Sequence, residues 1–248
     1  MIKEPVNVYF VVSGKYHDID FARLALLKLL AEHDQIRTTV APDYTDTDAI
    51  AASDFLISFT VDVAPTPEQT KVLQDYVSGG KKWLALHGTN SILAFREDGL
   101  VDAPDDAPEF MELLGSQFVA HPPIGPFKVE VVDDTNPLSQ GMTDFEIVDE
   151  LYLSKTTADI EILMQTRFGG EATGFVESQW PEDTIVPITY LRKYGKGEIF
   201  YCTLGHSRSH YDLPEFAPFY THPERCSWNY PIYYEILRRS IKWALGTL

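Results

Sequence analysis

Apolar residues in the first 90 positions fall into short continuous runs that alternate with stretches spaced for a helix, as in strands covered on both faces and joined by helices. Val6 to Val12 is the first run, and it breaks at Ser13 and Gly14. After the loop Lys15 to Asp20, the apolar residues Phe21, Leu24, Leu27 (or Ala25) and the segment Lys28 to Leu30 recur at helical spacing, with Asp18 or Asp20 available as N-cap. Ile36 to Ala41 and Asp54 to Phe59 read as the second and third strands, separated by the polar, turn-rich stretch Pro42 to Asp48. A second helix is marked by a capping box, in which Thr66 caps, Pro67 suits the first helical position and Gln69 lies three residues on. Val72, Leu73, Tyr76 and Val77 form its buried stripe, and Ser78, Gly79 and Gly80 end it. Lys81 to Leu86 follows as a strand, so the pattern predicts a doubly wound, mainly parallel α/β sheet flanked by helices.

Beyond Phe95 the pattern changes. Phe95 to Asp106 is acidic and loop-like, and the strands predicted after it have no long helix between them: Phe127 to Val132, Phe145 to Leu153, Ile160 to Arg167, Ile185 to Tyr194 and Gly197 to Cys202. An antiparallel extension of the sheet explains this better than a second domain, because no flexible linker separates the halves; residues 1–248 therefore read as one domain. Tyr230 to Leu245 closes the chain as an amphipathic helix with Ile232, Ile236, Leu237, Ile241 and Leu245 inward.

Charge and cysteine content narrow the class. With 37 acidic against 20 basic residues and a net charge of −17, the surface would repel nucleic acid and anionic lipid, so neither is expected as a partner. No stretch approaches the roughly 20 apolar residues of a spanning helix, and Met1 to Pro5 lacks a signal-peptide pattern, so a soluble cytoplasmic protein is expected. Two cysteines, Cys202 in a strand and Cys226 in a polar loop, supply neither a disulfide framework nor a structural zinc cluster.

Candidate chemistry gathers at strand ends. The run Leu84 to Leu86 stops on His87, with Gly88 freeing the next turn, at the place where open α/β sheets expose a reactive group. Hydrolases and amidotransferases that act through covalent acyl transfer carry serine or cysteine there, so histidine moves that chemistry out of first rank. His17 follows the first strand, His121 precedes Pro122 and Pro123, and His206 follows Gly205 just past a strand. These four could converge at one edge of a parallel sheet, or be solvated loop residues. Glu150 and Tyr152 would share a face of a predicted strand, where a carboxylate can orient an imidazole, act as acid or base, or complete a metal shell. An exposed acidic turn is the other reading of that segment. The aromatic stretch Tyr211 to Tyr220, with Trp228 and Tyr230 beyond it, fits either a sugar-facing surface or ordinary packing; His210 and His222 lie within or beside it.

Taken in order, four segments resemble the trehalose-utilisation ThuA-like family: Gly14 to Asp18 with Tyr-His-Asp, Leu86 to Thr89, Gly115 to Pro123 with Gly-Ser-x-Phe-x-x-His-Pro, and Tyr194 to His206. Asp149 to Tyr152 is similar to the family's Asp-Glu-x-Tyr, and the likeness extends from residue 6 to about 245. The chain departs from the family at Glu198, where arginine is usual, and at Tyr190, where tryptophan is frequent. The resemblance implies the fold of class I glutamine amidotransferases, a flavodoxin-like arrangement, with His87 standing where those enzymes need cysteine, so glutamine hydrolysis is not expected. It further implies carbohydrate catabolism, beside sugar oxidoreductases that make keto-sugars from trehalose and related disaccharides.

A keto-sugar suits these residues. Its acidic α-hydrogen can be removed by a neutral imidazole or a carboxylate, and histidine titrates near neutrality. The expectation is an isomerase, lyase or hydrolase acting on a keto-sugar or keto-glycoside, with His87, His206, Glu150 and Tyr152 catalytic. His17, Asp18, Gly88, Thr89, His121 and His210 would contact the carbohydrate. A divalent ion, zinc, manganese or nickel, would be held by His87, His121, His206 and Glu150, because three histidines and a carboxylate are an ordinary ligand set. No nucleotide cofactor is expected, and a homo-oligomer is compatible with the sequence. The competing class is a non-catalytic sugar- or partner-binding protein on the same scaffold. Whether the strand-end histidines and Glu150 surround one pocket discriminates between the two.

Overall fold

Local signals set the element ends in the computed structural model, which describes residues 4–212, 218 and 222–248. The chain runs through β1 (Val6–Gly14), α1 (Ile19–Leu30), β2 (Ile36–Ala41), α2 (Thr47–Ala52), β3 (Phe55–Val61), α3 (Pro67–Ser78) and β4 (Lys82–Leu86). A two-stranded hairpin of β5 (Ala94–Phe95) and β6 (Val101–Asp102) precedes α4 (Pro108–Leu114) and β7 (Ser116–Ala120). Then β8 (Gly125–Val131), β9 (Phe145–Asp149), β10 (Leu153–Thr156), β11 (Glu161–Glu171), β12 (Gln179–Tyr194) and β13 (Gly197–Cys202) lead to the closing helix α5 (Pro231–Ala244). The capping box of α3 forms in both directions: the Gln69 amide donates to Thr66 Oγ1 at 3.3 Å, and the Thr66 amide donates to Gln69 Oε1 at 2.9 Å. Of the two acidic candidates at α1, Asp18 is the cap, accepting from the Phe21 amide at 3.1 Å.

Among the described residues, a nine-stranded sheet has the order β2-β1-β3-β4-β13-β12-β11-β8-β9. The pairings from β2 to β13 are parallel and those from β13 to β9 are antiparallel. The sheet is therefore mixed in equal parts, not mainly parallel as the first 90 residues suggest, because the second half of the chain joins the same sheet by hairpins. Side chains of β1 alternate across it. Val8, Phe10 and Val12 pack with Ala22 and Leu26 of α1 and Ile236 and Leu237 of α5. Tyr9 and Val11 pack with Ile50 of α2, Leu73 and Tyr76 of α3 and Phe110 of α4.

Three sequence expectations are corrected. Leu24 is exposed, and Ala22, Leu26, Leu29 and Leu30 form the buried stripe of α1. Phe145 to Leu153 is two strands: β9 stops at Asp149, and β10 pairs instead with β7 in a separate two-stranded sheet. Glu150 and Tyr152 thus lie in a link between sheets, where strand alternation does not set their directions. The short helices α2 and α4 stand where the sequence reads as loop, since six or seven residues with few apolar positions give no period to detect. Both cysteines are buried and free, and no described helix is long and apolar enough to cross a membrane.

Candidate active site at the carboxyl edge of the sheet

The parallel strands deliver three histidines to one edge. His17 lies past β1, immediately before the capping Asp18. His87 follows β4 directly, and the register Leu86↔Cys202 brings it beside Thr203, whose carbonyl oxygen is 2.8 Å from His87 Nδ1. The backbone of His87 has φ +46°, a left-handed conformation that costs a residue with a Cβ about 1–2 kcal/mol. His206 lies in the loop past β13. Asp149, the last residue of β9, fixes that loop by accepting the amides of Gly205 at 2.9 Å and His206 at 3.2 Å, along with that of Glu150 at 2.8 Å. One buried carboxylate thereby holds Glu150 against His206. The register Ala120↔Leu153 sets His121, which follows β7, at the same end as Glu150.

The side chains meet closely. His17 Nε2 is 2.8 Å from His87 Nε2 and 3.2 Å from His206 Nδ1. Glu150 Oε2 is 3.1 Å from His206 Nδ1, 3.7 Å from His17 Nε2 and 3.9 Å from His87 Nε2. Its other oxygen, Oε1, is 3.1 Å from His121 Nε2 and 4.0 Å from an Arg208 Nη. Behind the group, His206 Nε2 faces Glu224 Oε2 at 2.9 Å. His17, His87, His206 and Glu150 are all buried, whereas the His121 side chain is 27% exposed.

Burial governs the charge states. It holds His17 below the usual imidazole range, and it pushes His87 well below that range with the help of neighbouring His17. It acts against a charge on His206 as well, but Glu150 and Glu224 on either side carry that ring up to about 9, so His206 is a cation at neutral pH. Burial would raise Glu150, yet the rings of His121 and His206 keep it well below the ordinary carboxylate range. Asp149, desolvated, is pushed up to about 6 and is still ionised at pH 7. The Tyr152 phenol is driven well above 10 by burial and by the Glu150 charge, so it stays protonated. Its ring lies 4.4 Å from that of His87.

A cavity of about 380 Å³ opens over this group, within the size range of small-molecule sites. Its walls are aromatic and aliphatic, with Tyr16, Phe95, Phe118, Tyr152 and Phe175 among them, and its polar groups are His17, His121, Glu150 and Arg208. His87 and His206 sit behind that lining, so His17 and His121 are the imidazoles presented to a bound molecule.

The remaining sequence candidates lie elsewhere. The Asp18 carboxylate is taken up by the Phe21 amide, the Tyr211 hydroxyl at 2.7 Å and Arg225 at 2.9 Å. Thr89 is buried and directs its hydroxyl to the Leu86 carbonyl at 2.8 Å. Gly88 packs on β3, where an added Cβ would sit 2.4 Å from Val61 Cγ2 and 2.8 Å from the Thr60 carbonyl oxygen. Gly88→Ala is accordingly expected to lower stability by about 1–3 kcal/mol, read as an earlier denaturant midpoint at unchanged slope. His210 and His222 are exposed, and residues 213–217 and 219–221 of the aromatic stretch lie outside the described residues. Tyr190 is buried with its hydroxyl on Ser116 and the Leu114 carbonyl, and Glu198 is at the start of β13, so neither departure from the family pattern lines the cavity. Arg208 and Glu224 are site residues that sequence reasoning does not find. They are joined by a backbone bridge that closes the loop over His206, and one acidic residue among many carries no local signal.

The model of the ThuA trehalose-utilisation family matches residues 6–222. No curated protein sequence matches the chain. Among solved structures, a protein from Parabacteroides merdae described as ThuA-like shares 15% identity at a TM-score of 0.71, covering 99% of this chain and 92% of its own. A second, from Bacteroides uniformis and described likewise, shares 16% identity at a TM-score of 0.69, with 98% and 93% covered. A GMP synthase protein from Thermoplasma acidophilum aligns at a TM-score of 0.52 and 14% identity over 99% of this chain and 96% of that one. At these identities the likeness is one of fold.

Proposed function

Because the chain belongs to the ThuA trehalose-utilisation family, we propose that it is a carbohydrate-catabolic enzyme that moves a proton on a keto-sugar or keto-glycoside, as an isomerase, lyase or hydrolase. The scaffold in this reading is the doubly wound, amidotransferase-like one, with its strand order β2-β1-β3-β4-β13 and its site at the carboxyl edge of the parallel strands. The observation that carries the proposal is the contact of 3.1 Å between His121 Nε2 and Glu150 Oε1 in the wall of the cavity. A carboxylate-linked imidazole facing bound substrate is the arrangement that proton abstraction beside a carbonyl needs.

His121 is the proton-transfer group in this reading. Its two ring nitrogens face acceptors, Glu150 Oε1 and the Pro122 carbonyl oxygen at 2.9 Å, so the ring can carry a proton and pass it to an enolate oxygen. Glu150 orients the ring and balances its charge. Tyr152, protonated and in the lining, donates to a sugar or carbonyl oxygen, and Arg208 offers a fixed positive charge beside it. The aromatic walls fit the apolar faces of pyranose rings, and their desolvation strengthens each of these electrostatic contacts. The gathering of the histidines and Glu150 at one cavity supports catalysis over a purely binding role.

The test is deuterium wash-in beside the carbonyl of a 3-keto-disaccharide, followed by NMR. His121→Asn is expected to slow exchange by roughly 10²-fold or more, with substrate binding retained. Exchange by the unchanged protein no faster than in buffer would dismiss the reading, and so would full activity in the His121 variant.

A further inference from the structure

Three histidines of the cluster have their outward nitrogens already committed. His17 Nδ1 is 3.2 Å from the Lys15 carbonyl oxygen and His87 Nδ1 is 2.8 Å from that of Thr203. A carbonyl oxygen only accepts, so both Nδ1 atoms carry hydrogen and both Nε2 atoms present lone pairs. Those two lone pairs face one another at 2.8 Å, in a place closed to bulk water. His206 is built the same way from the other side: Nε2 is on Glu224, and Nδ1 turns inward to His17 and Glu150. An imidazole whose outer N–H is tied to a carbonyl or carboxylate while its inner nitrogen converges with others is the form that metal-ligating histidine takes.

We propose that His17 Nε2, His87 Nε2, His206 Nδ1 and Glu150 Oε2 bind one divalent first-row transition-metal ion, at a site open to the cavity. The spacing fits. These four atoms all lie within 4.8 Å of one another, and the closest neighbours are 2.8, 3.1 and 3.2 Å apart. Bonds of about 2.0–2.1 Å set neighbouring ligands roughly 3.0–3.4 Å apart for right or tetrahedral angles. Imidazole nitrogens with a single carboxylate favour zinc, manganese, nickel and their neighbours over calcium or magnesium, which take oxygen shells. His121, expected from sequence as a ligand, is replaced by His17, since its Nε2 reaches the opposite carboxylate oxygen. His17 and Glu150 line the cavity, so the remaining coordination positions face a bound molecule. There the ion would polarise a carbonyl or enolate oxygen. The inference stands on the ligand geometry and is independent of the keto-sugar reading.

The experiment uses the full chain without a histidine tag, stripped with chelator and then dialysed against Zn²⁺, Mn²⁺, Ni²⁺ or Co²⁺, with metal content and melting temperature measured. The expected result is about one equivalent of at least one ion, a visible Co²⁺ band and a melting temperature raised by the ion. His17→Gln and Glu150→Gln, shown by circular dichroism to be folded, should each weaken binding at least tenfold, while His121→Ala should still take up the ion. His87→Ala serves as a further ligand variant if it folds. Less than a tenth of an equivalent of every ion on the unchanged protein would overturn the site, as would full occupancy in both the His17 and Glu150 variants. Loss of the ion in His121→Ala would overturn the ligand set. Metal bound without any deuterium exchange would leave the site standing and remove only the keto-sugar reading.

Discussion

Glu150→Gln is expected to slow deuterium wash-in on a 3-keto-disaccharide by roughly 10²- to 10⁴-fold, the range over which a positioned acid–base group acts. Glutamine keeps the volume and removes the charge that several groups share. His121 loses its acceptor at 3.1 Å, and His206, a cation held between two carboxylates, keeps only Glu224. Glu150→Asp separates the two effects, because it retains the charge but withdraws it by one methylene. If orientation of His121 is what matters, the aspartate variant recovers part of kcat, whereas the glutamine variant does not. Measured exchange above a tenth of the original rate in Glu150→Gln would remove Glu150 from the chemistry.

Asp149→Ala should be the most damaging single change to stability around the site, by about 3–5 kcal/mol, because three buried amides lose their acceptor together. The amides belong to Glu150, Gly205 and His206, so the loss loosens both sides of the cluster. Asp149→Asn is gentler. Its single amide oxygen can replace one carboxylate oxygen, but its NH₂ meets the N–H groups that the other had accepted, and a cost of about 1–3 kcal/mol follows. Urea unfolding of both variants provides the check, and an alanine variant within about 1 kcal/mol of the original would show that this carboxylate is not the anchor of the loop.

Much of the fold is legible in the chain because it is written in local terms. The capping box at Thr66, the fully apolar runs of β1 and β3 and the ends of β2 and β13 depend on neighbours in sequence. What escapes is decided by distant partners. Where β9 stops is set by the pairing of β10 with β7, and the direction of the second half of the sheet is set by the hairpin of β12 on β13. The site divides in the same way. Strand ends and flanking glycines point to His87 and His206, and a strand edge gathers His17 and His121, but which histidine enters the cluster depends on which oxygen of Glu150 each one reaches. Glu224 and Arg208 have no signature at all, since their roles come from a two-residue bridge across the loop.

The separation of the clustered residues along the chain has a consequence for folding. His17 and His206 touch across 189 positions, and His87 lies between them on the strand that β13 joins last. No fragment, and no intermediate lacking β13, holds the group together, so a ligand of the cluster binds the native state and nothing short of it. Such a ligand shifts the global unfolding equilibrium by mass action, about 2.7 kcal/mol at a hundred times its dissociation constant. Assembly of this edge closes the longest loops in the molecule, which makes it a late and slow event in folding. Occupancy of the cluster is therefore a reporter of completed folding as well as of ligand affinity.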